Sequence, residues 1–344
     1  MSKFLTLLDE RQILLADGAT GTNYFALGLE TGYPPELWNV EKPELVKGLH
    51  ARFLKAGSDL ILTNSFGGTG FRLKLHQAED RAVELNKAAA KLACDAAKEH
   101  ADETGYDVVV AGSMGPTGEL FEPLGALTYT SAYEGFKEQA DALAEGGVDI
   151  LWIETISSLE EVDAAFDAAA STGLPVASTM TFDTAGKSMM GVNPDHYARH
   201  VADKGAVAFG ANCGVGPAEL MHSMMGMRNA FDDASPNLVA KGNCGIPEYL
   251  DGKIHYHGTP ELMASYAVLA RDAGMKVIGG CCGTTPEHVA AMRQALDAHP
   301  EQQDVTAERL HAALGEAWAG LDTDAQNTND QTGERTRRRR RSRE

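Results

Sequence analysis

Eight times along this chain a short apolar or β-branched run is followed by a longer stretch with helical spacing, and nothing else in the sequence limits the fold so tightly. The runs are "ILLADGAT" from Ile13, "LILTNSF" from Leu60, "VVVAGSMG" from Val108, "ILWIETI" from Ile150, "VASTMTF" from Val176, "AVAFGANCG" from Ala206, "LVAKGNCG" from Leu238 and "VIGGCCG" from Val277. Between them lie segments such as "PELVKGLHARFLKAG" and "ELMASYAVLARDAG", which end in glycine just before the next run. A glycine in that place closes a helix and lets the chain re-enter a sheet. Continuous apolar strands alternating with helices imply a parallel sheet covered on its outer face. Eight such units without a break predict an α/β fold, a closed (β/α)8 TIM barrel forming one domain over residues 1–300. A doubly wound open sheet is the competing arrangement, but the turn after the first run lacks the phosphate-binding glycine pattern of that fold.

A helical extension is expected over residues 301–321. Residues 322–344 lose apolar periodicity and end in the run Arg337 to Arg341. Like charges in a block repel one another, so this stretch reads as a disordered tail, with docking to an acidic partner or nucleic acid as the alternative. The net charge of −19 argues against general nucleic-acid binding, which needs a basic face. No apolar run approaches the roughly 20 residues of a membrane helix. The start, "MSKFLTLLDERQ", becomes charged too early for a signal peptide. A cytoplasmic protein is expected, and in a reducing compartment neighbouring cysteines point to metal or catalysis more than to disulfides.

Barrels of this kind keep their chemistry at the C-terminal ends of the strands. There the sequence places Asp17, Thr63 with Asn64, Ser113, Glu154, Cys213, Asn243 with Cys244, and the adjacent Cys281 and Cys282. Cys213 ends the sixth run and the pair ends the eighth, so barrel closure can bring all three thiols together. Zinc favours sulfur and nitrogen ligands in a tetrahedron, and a catalytic site supplies three of them while leaving one position exchangeable. Adjacent cysteines are poorly spaced for a structural zinc knuckle. The competing reading, small buried apolar residues, suits Cys94 inside its alanine-rich helix better than three cysteines on the catalytic face. Cys244 is either a bystander, an extra ligand or a redox-sensitive thiol. A zinc site built of sulfur suits a thiol substrate more than a water nucleophile, so the residues alone lead to thiol alkylation.

In chain order, "DGATGT", "LTNSF", "GSMGPTG", "ETI", "ANCG" and "GGCCGTTPEH" resemble the homocysteine S-methyltransferase family, over about residues 10–298. The resemblance implies a zinc-dependent barrel enzyme that methylates L-homocysteine to L-methionine. It implies Cys213, Cys281 and Cys282 as zinc ligands, Asp17 and Glu154 as receivers of the substrate ammonium, and the backbone around Gly18 and Thr63 as receiver of its carboxylate. Carboxylates suit a small cation and N–H groups suit an anion. Without the resemblance, Asp17 reads as a turn residue and Glu154 as part of an ion pair inside the barrel.

The methyl donor divides the family. Trp38 of "PPELWNVEKPE" and Phe66 are similar in approximate position to donor-side aromatics of betaine-using members, which hold a trimethylammonium by cation–π attraction. Gly67 and Thr155 stand where two further aromatics are expected, so that cage is depleted. The homocysteine module of cobalamin-dependent methionine synthase is the nearer likeness, with Asn243 of "GNCGIPEY" matching an asparagine that holds the exchangeable fourth zinc position. That likeness implies methylcobalamin on a separate corrinoid protein as donor. Betaine or S-methylmethionine is the alternative donor, and a zinc- and thiol-binding subunit inactive without partner proteins is an alternative of another kind. The Met-rich "MHSMMGMR" from Met221, Tyr129 and Tyr133 are candidate donor-face contacts, although methionines at helical spacing more often read as core.

Overall fold

The barrel strands are apolar throughout because both of their faces are buried, one against the barrel axis and one against a ring of helices. The computed structural model describes residues 2–231, 236–245, 247–250 and 253–318. Its strands are β1 (Leu14–Leu15), β2 (Leu60–Leu62), β3 (Val109–Met114), β4 (Ile150–Ile156), β5 (Val176–Met180), β6 (Ala208–Cys213), β7 (Leu238–Gly242), a hairpin of β8 (Pro247–Leu250) and β9 (Lys253–Tyr256), and β10 (Val277–Gly280). Eight of them form one parallel sheet in the order β1-β10-β7-β6-β5-β4-β3-β2. Its two ends meet: Ala16 pairs with Leu60, Asp17 N–H donates to the Leu60 carbonyl at 3.0 Å, and Asp59 N–H donates to the Leu15 carbonyl at 2.6 Å. This is the (β/α)8 barrel expected.

Side chains alternate across a strand, so each run supplies two cores. Leu14, Ala16, Leu60, Leu62, Val109, Ala111, Ile150, Trp152, Val239 and Val277 face the axis and form one buried cluster. Leu15, Ile61, Val110, Leu151, Ile153 and Ile278 face outward into a second cluster shared with the helices. The helix Lys3–Arg11, capped by Ser2, inserts Phe4, Leu7 and Leu8 into the axial cluster. It closes the N-terminal end of the barrel, and chemistry is left to the opposite end.

Several features depart from expectation or extend it. The hairpin β8–β9, between β7 and the helix Pro260–Asp272, was not among the expected elements. Met221, Met224 and Met227 of the helix Pro217–Asn229 are fully buried, so that stripe is core and not a docking face. Tyr129 and Tyr133 stack on the helix Tyr129–Glu145, where the Tyr129 hydroxyl donates to Asp167, and neither lines the cavity at the barrel mouth. Within residues 301–321, the helix Ala307–Leu314 is tied to the barrel by Arg309 donating to Asp272 at 2.6 Å. Trp318 then packs edge-on against His222 with centroids 4.9 Å apart. The run Arg337 to Arg341 lies outside the described residues. Among the described residues, no helix is long and apolar enough to cross a membrane.

Candidate active site

Following the inward positions of each strand toward its C-terminal end shows how the site is made. Val109 and Ala111 lead to Ser113, Ile150 and Trp152 to Glu154, Val239 to Lys241, and Val277 to Cys281, always in steps of two. These residues line a cavity of about 510 Å³ at the barrel mouth, together with Gly18, Thr63, Phe66, Cys213 and Cys282.

Cys213 breaks the alternation. Asn212 is the inward residue of β6 and donates toward Cys281 Sγ at 3.9 Å. The next residue would face outward in an extended strand, but Cys213 adopts φ 63°, a left-handed conformation uncommon outside glycine. That twist re-aims the side chain, and its Sγ comes within 3.9 Å of Cys282 Sγ. Thr155 has the same kind of backbone, φ 64°, and Asn212 holds it by accepting from its N–H at 3.0 Å and donating to its hydroxyl at 2.6 Å.

The sulfur atoms of Cys213, Cys281 and Cys282 all lie within 4.8 Å of one another. A zinc–sulfur bond of about 2.3 Å in a tetrahedron requires sulfurs about 3.8 Å apart, so the donor set fits such an ion. Crowding keeps the thiols protonated. Cys281 favours the Cys213 anion, but Cys282, burial and the Cys282 charge together push Cys213 up to about 12. Cys213 favours the Cys282 anion, while Cys281 and burial push Cys282 up to about 12. Cys281 itself is raised well above the usual thiol range, by Cys213 first and then by burial. A cation must therefore displace protons to bind.

Not every expected site residue reaches the cavity. Gly18, Thr63, Glu154, Phe66 and the three cysteines line it; Asp17, Trp38 and Asn243 do not. Asp17, 1% exposed, accepts from Lys241 Nζ at 2.8 Å and from Leu62 N–H at 2.8 Å, so its carboxylate is already engaged. Burial pushes Asp17 up while Lys241 pulls it down. The Thr63 N–H is committed to the Ala111 carbonyl at 2.9 Å, which removes it as a carboxylate receiver. Trp38 packs against Tyr24 in the core, centroids 5.4 Å apart, because the short helix Trp38–Glu41 turns it inward. Asn243 accepts from Cys282 N–H at 3.0 Å and donates to the Gly214 carbonyl at 2.5 Å. Its amide ties two cysteine-bearing turns together and also hydrogen-bonds Cys213, although it does not line the cavity.

Glu154 is held by Ser113, whose hydroxyl donates to Oε1, and burial raises its carboxyl against the pull of Lys241. Cys244 is buried, 3.2 Å from His288 Nε2 and 3.0 Å from the Gly258 carbonyl, and does not line the cavity. Cys94 hydrogen-bonds the Gly147 carbonyl at 3.3 Å in the helical layer, as a bystander should.

Four contributors went unrecognised in the sequence. Lys241 and Asn212 were signalled by the inward step of two along β7 and β6. Tyr256 comes from the unforeseen hairpin and sits against Cys282. Glu36, 5% exposed, precedes the short helix and accepts from Gly67 N–H at 2.6 Å. It lines the cavity together with Phe25, Tyr33, Phe66 and Arg72.

A closed barrel with three convergent thiols at its mouth defines a class, that of (β/α)8 proteins whose strand ends carry a thiol cluster able to hold a metal ion. The chain belongs to the homocysteine S-methyltransferase family, whose model matches residues 14–296, and is an S-methyltransferase acting on homocysteine. In fold it is similar to the homocysteine methyltransferase MmuM from Escherichia coli. The metallated form of that protein superposes with a TM-score of 0.71 at 24% identity, covering 84% of this chain and 98% of the other. The apo form gives a TM-score of 0.67 at the same identity and the same coverage of both chains.

Proposed function

We propose that this enzyme forms L-methionine by methylating L-homocysteine, with zinc held by Cys213, Cys281 and Cys282. The observation that carries the reading is the convergence of those thiols on the inner end of the cavity. Bound there, zinc would keep the substrate sulfur ionised at neutral pH. Glu154 uses its remaining oxygen for the substrate ammonium, and Gly18 offers its backbone to the carboxylate. Asn243 and Asn212 hold the turns that carry the cysteines. The sulfur lone pair forms the new bond to the methyl carbon, and the donor departs with the electron pair of the bond that breaks. Free thiols suit a reducing compartment, which supports a cytoplasmic setting.

Likeness to the methionine synthase module supports methylcobalamin on a separate corrinoid protein as donor. A second reading is favoured by Glu36, a buried carboxylate among Phe25, Tyr33 and Phe66, which suits a small cation such as betaine or S-methylmethionine. Zinc-replete protein incubated with homocysteine and each donor separately, with methionine quantified, tests both. Turnover with methylcobalamin and none with the small cations supports the first reading, and turnover with a small cation without any corrinoid overturns it. Zinc and homocysteine bound without turnover from any isolated donor supports a subunit that needs its partner. Protein purified under reducing, zinc-supplemented conditions that contains no zinc refutes the metal assignment.

A further inference from the structure

We infer that Lys241 recognises the carboxylate of the thiol substrate and so makes the inner end of the cavity a receptor for a zwitterion. The inference rests on the homocysteine reading above. It begins with register: Lys241 lies between Asn212 of β6 and Gly279 of β10, and the next row holds Cys213, Gly242 and Gly280. The ammonium side chain therefore starts one residue, roughly 3.3 Å along the strand, below the first thiol-bearing row. Two methylenes separate the sulfur of homocysteine from its α-carbon, so a substrate anchored by sulfur extends its amino-acid end toward that deeper row.

Lys241 is 2% exposed yet lines the cavity. Its Nζ donates to Asp17 Oδ1 at 2.8 Å and to the Asp17 carbonyl at 3.3 Å. An ammonium has three N–H donors, and among the described residues the third has no protein acceptor. Charge balance points the same way. Asp17 and Glu154 both facing the substrate would set two carboxylates against one ammonium and leave the substrate carboxylate beside like charge. With Lys241 neutralising Asp17, Glu154 remains for the substrate ammonium and Lys241 for its carboxylate. The expected backbone receiver at Thr63 is already bonded to Ala111, so Gly18 is left as the backbone contribution.

The consequence is specificity for thiols that end in a carboxylate. Calorimetric titration of zinc-loaded, full-length protein with homocysteine, its decarboxylated analogue and its deaminated analogue tests it. Wild-type protein is expected to bind the decarboxylated thiol about 10- to 100-fold more weakly than homocysteine, the range for one charge-assisted hydrogen bond. In Lys241→Met that preference is expected to collapse to within about threefold, with zinc content unchanged. Because this variant strands the Asp17 carboxylate, a double variant, Asp17→Asn with Lys241→Met, removes both charges and is expected to show the same collapse. A folded variant of either kind that keeps the full preference overturns the inference, as does wild-type protein that binds homocysteine without discriminating. Zinc-loaded wild-type protein that binds none of the thiols overturns the homocysteine reading itself.

Discussion

Cys213 would face away from the mouth if β6 stayed extended past Asn212, and its left-handed backbone is what brings it to Cys282. On the reading proposed above, a metal would bind the resulting cluster in competition with protons. Cys213 and Cys282 are pushed up to about 12 and Cys281 is raised well above the usual thiol range, so all three thiols are protonated near neutral pH. Each proton must leave before its sulfur can bind, so zinc affinity falls as pH falls, by roughly tenfold per pH unit for each proton displaced. Calorimetry in buffers of different ionisation enthalpy is expected to count about three protons released per zinc in wild type and about two in Cys281→Ala, which also binds zinc more weakly. A pH-independent affinity contradicts this account. The cysteines were legible in the sequence because thiols at strand ends are rare and chemically narrow. Lys241 was not, because "LVAKGNCG" shows a charge inside an apolar run without saying which face it takes. Only the inward placement of Val239 fixes that parity. Asp17 was recognised as a site residue, but its pairing with Lys241 was hidden for the same reason.

Among the elements, the helix Lys3–Arg11 does most to confine the site to one end. Phe4 is fully buried and its ring sits with Leu7 and Leu8 in the axial cluster. Truncating a buried phenylalanine loses its transfer free energy and leaves a cavity, together about 3 to 5 kcal/mol. Phe4→Ala is therefore expected to lower the midpoint of urea unfolding markedly while leaving zinc stoichiometry intact in the folded fraction. Loss of zinc from folded Phe4→Ala protein contradicts the separation of the two barrel ends. The eight strands were legible because apolar runs bounded by glycine and helical spacing leave little choice. The hairpin was not, since "PEYLDGKIHY" lacks the apolar pattern of the barrel runs and its one signal, the turn dipeptide Asp-Gly, is easily passed over between two barrel units. Yet β9 carries Tyr256 to Cys282, and a side chain at Gly283, φ 80°, would collide with the tyrosine ring. Trp38 was misplaced because its side-chain direction depends on the short turns from Pro35 to Glu41, which have no period to read.

At the scale of the whole molecule the barrel is plugged at its N-terminal end, and the cavity at the other end is lined by buried Lys241 and Glu154 and by exposed Phe25 and Tyr33, so it runs from a buried to an exposed end. Reactants that both enter by the exposed end must queue. Whatever occupies the inner end must enter before the exposed end is filled, and it can leave only after the outer occupant has gone. Steady-state kinetics are accordingly expected to follow a compulsory order, with the thiol binding first and its methylated product released last. In product-inhibition experiments methionine should compete with homocysteine and not with the methyl donor, and competition against the donor instead would mean that the two reactants reach the centre by separate routes. The same arrangement makes methionine its own brake: each finished molecule blocks the inner end until it diffuses out, so the rate of product escape sets a ceiling on turnover that faster methyl transfer cannot raise.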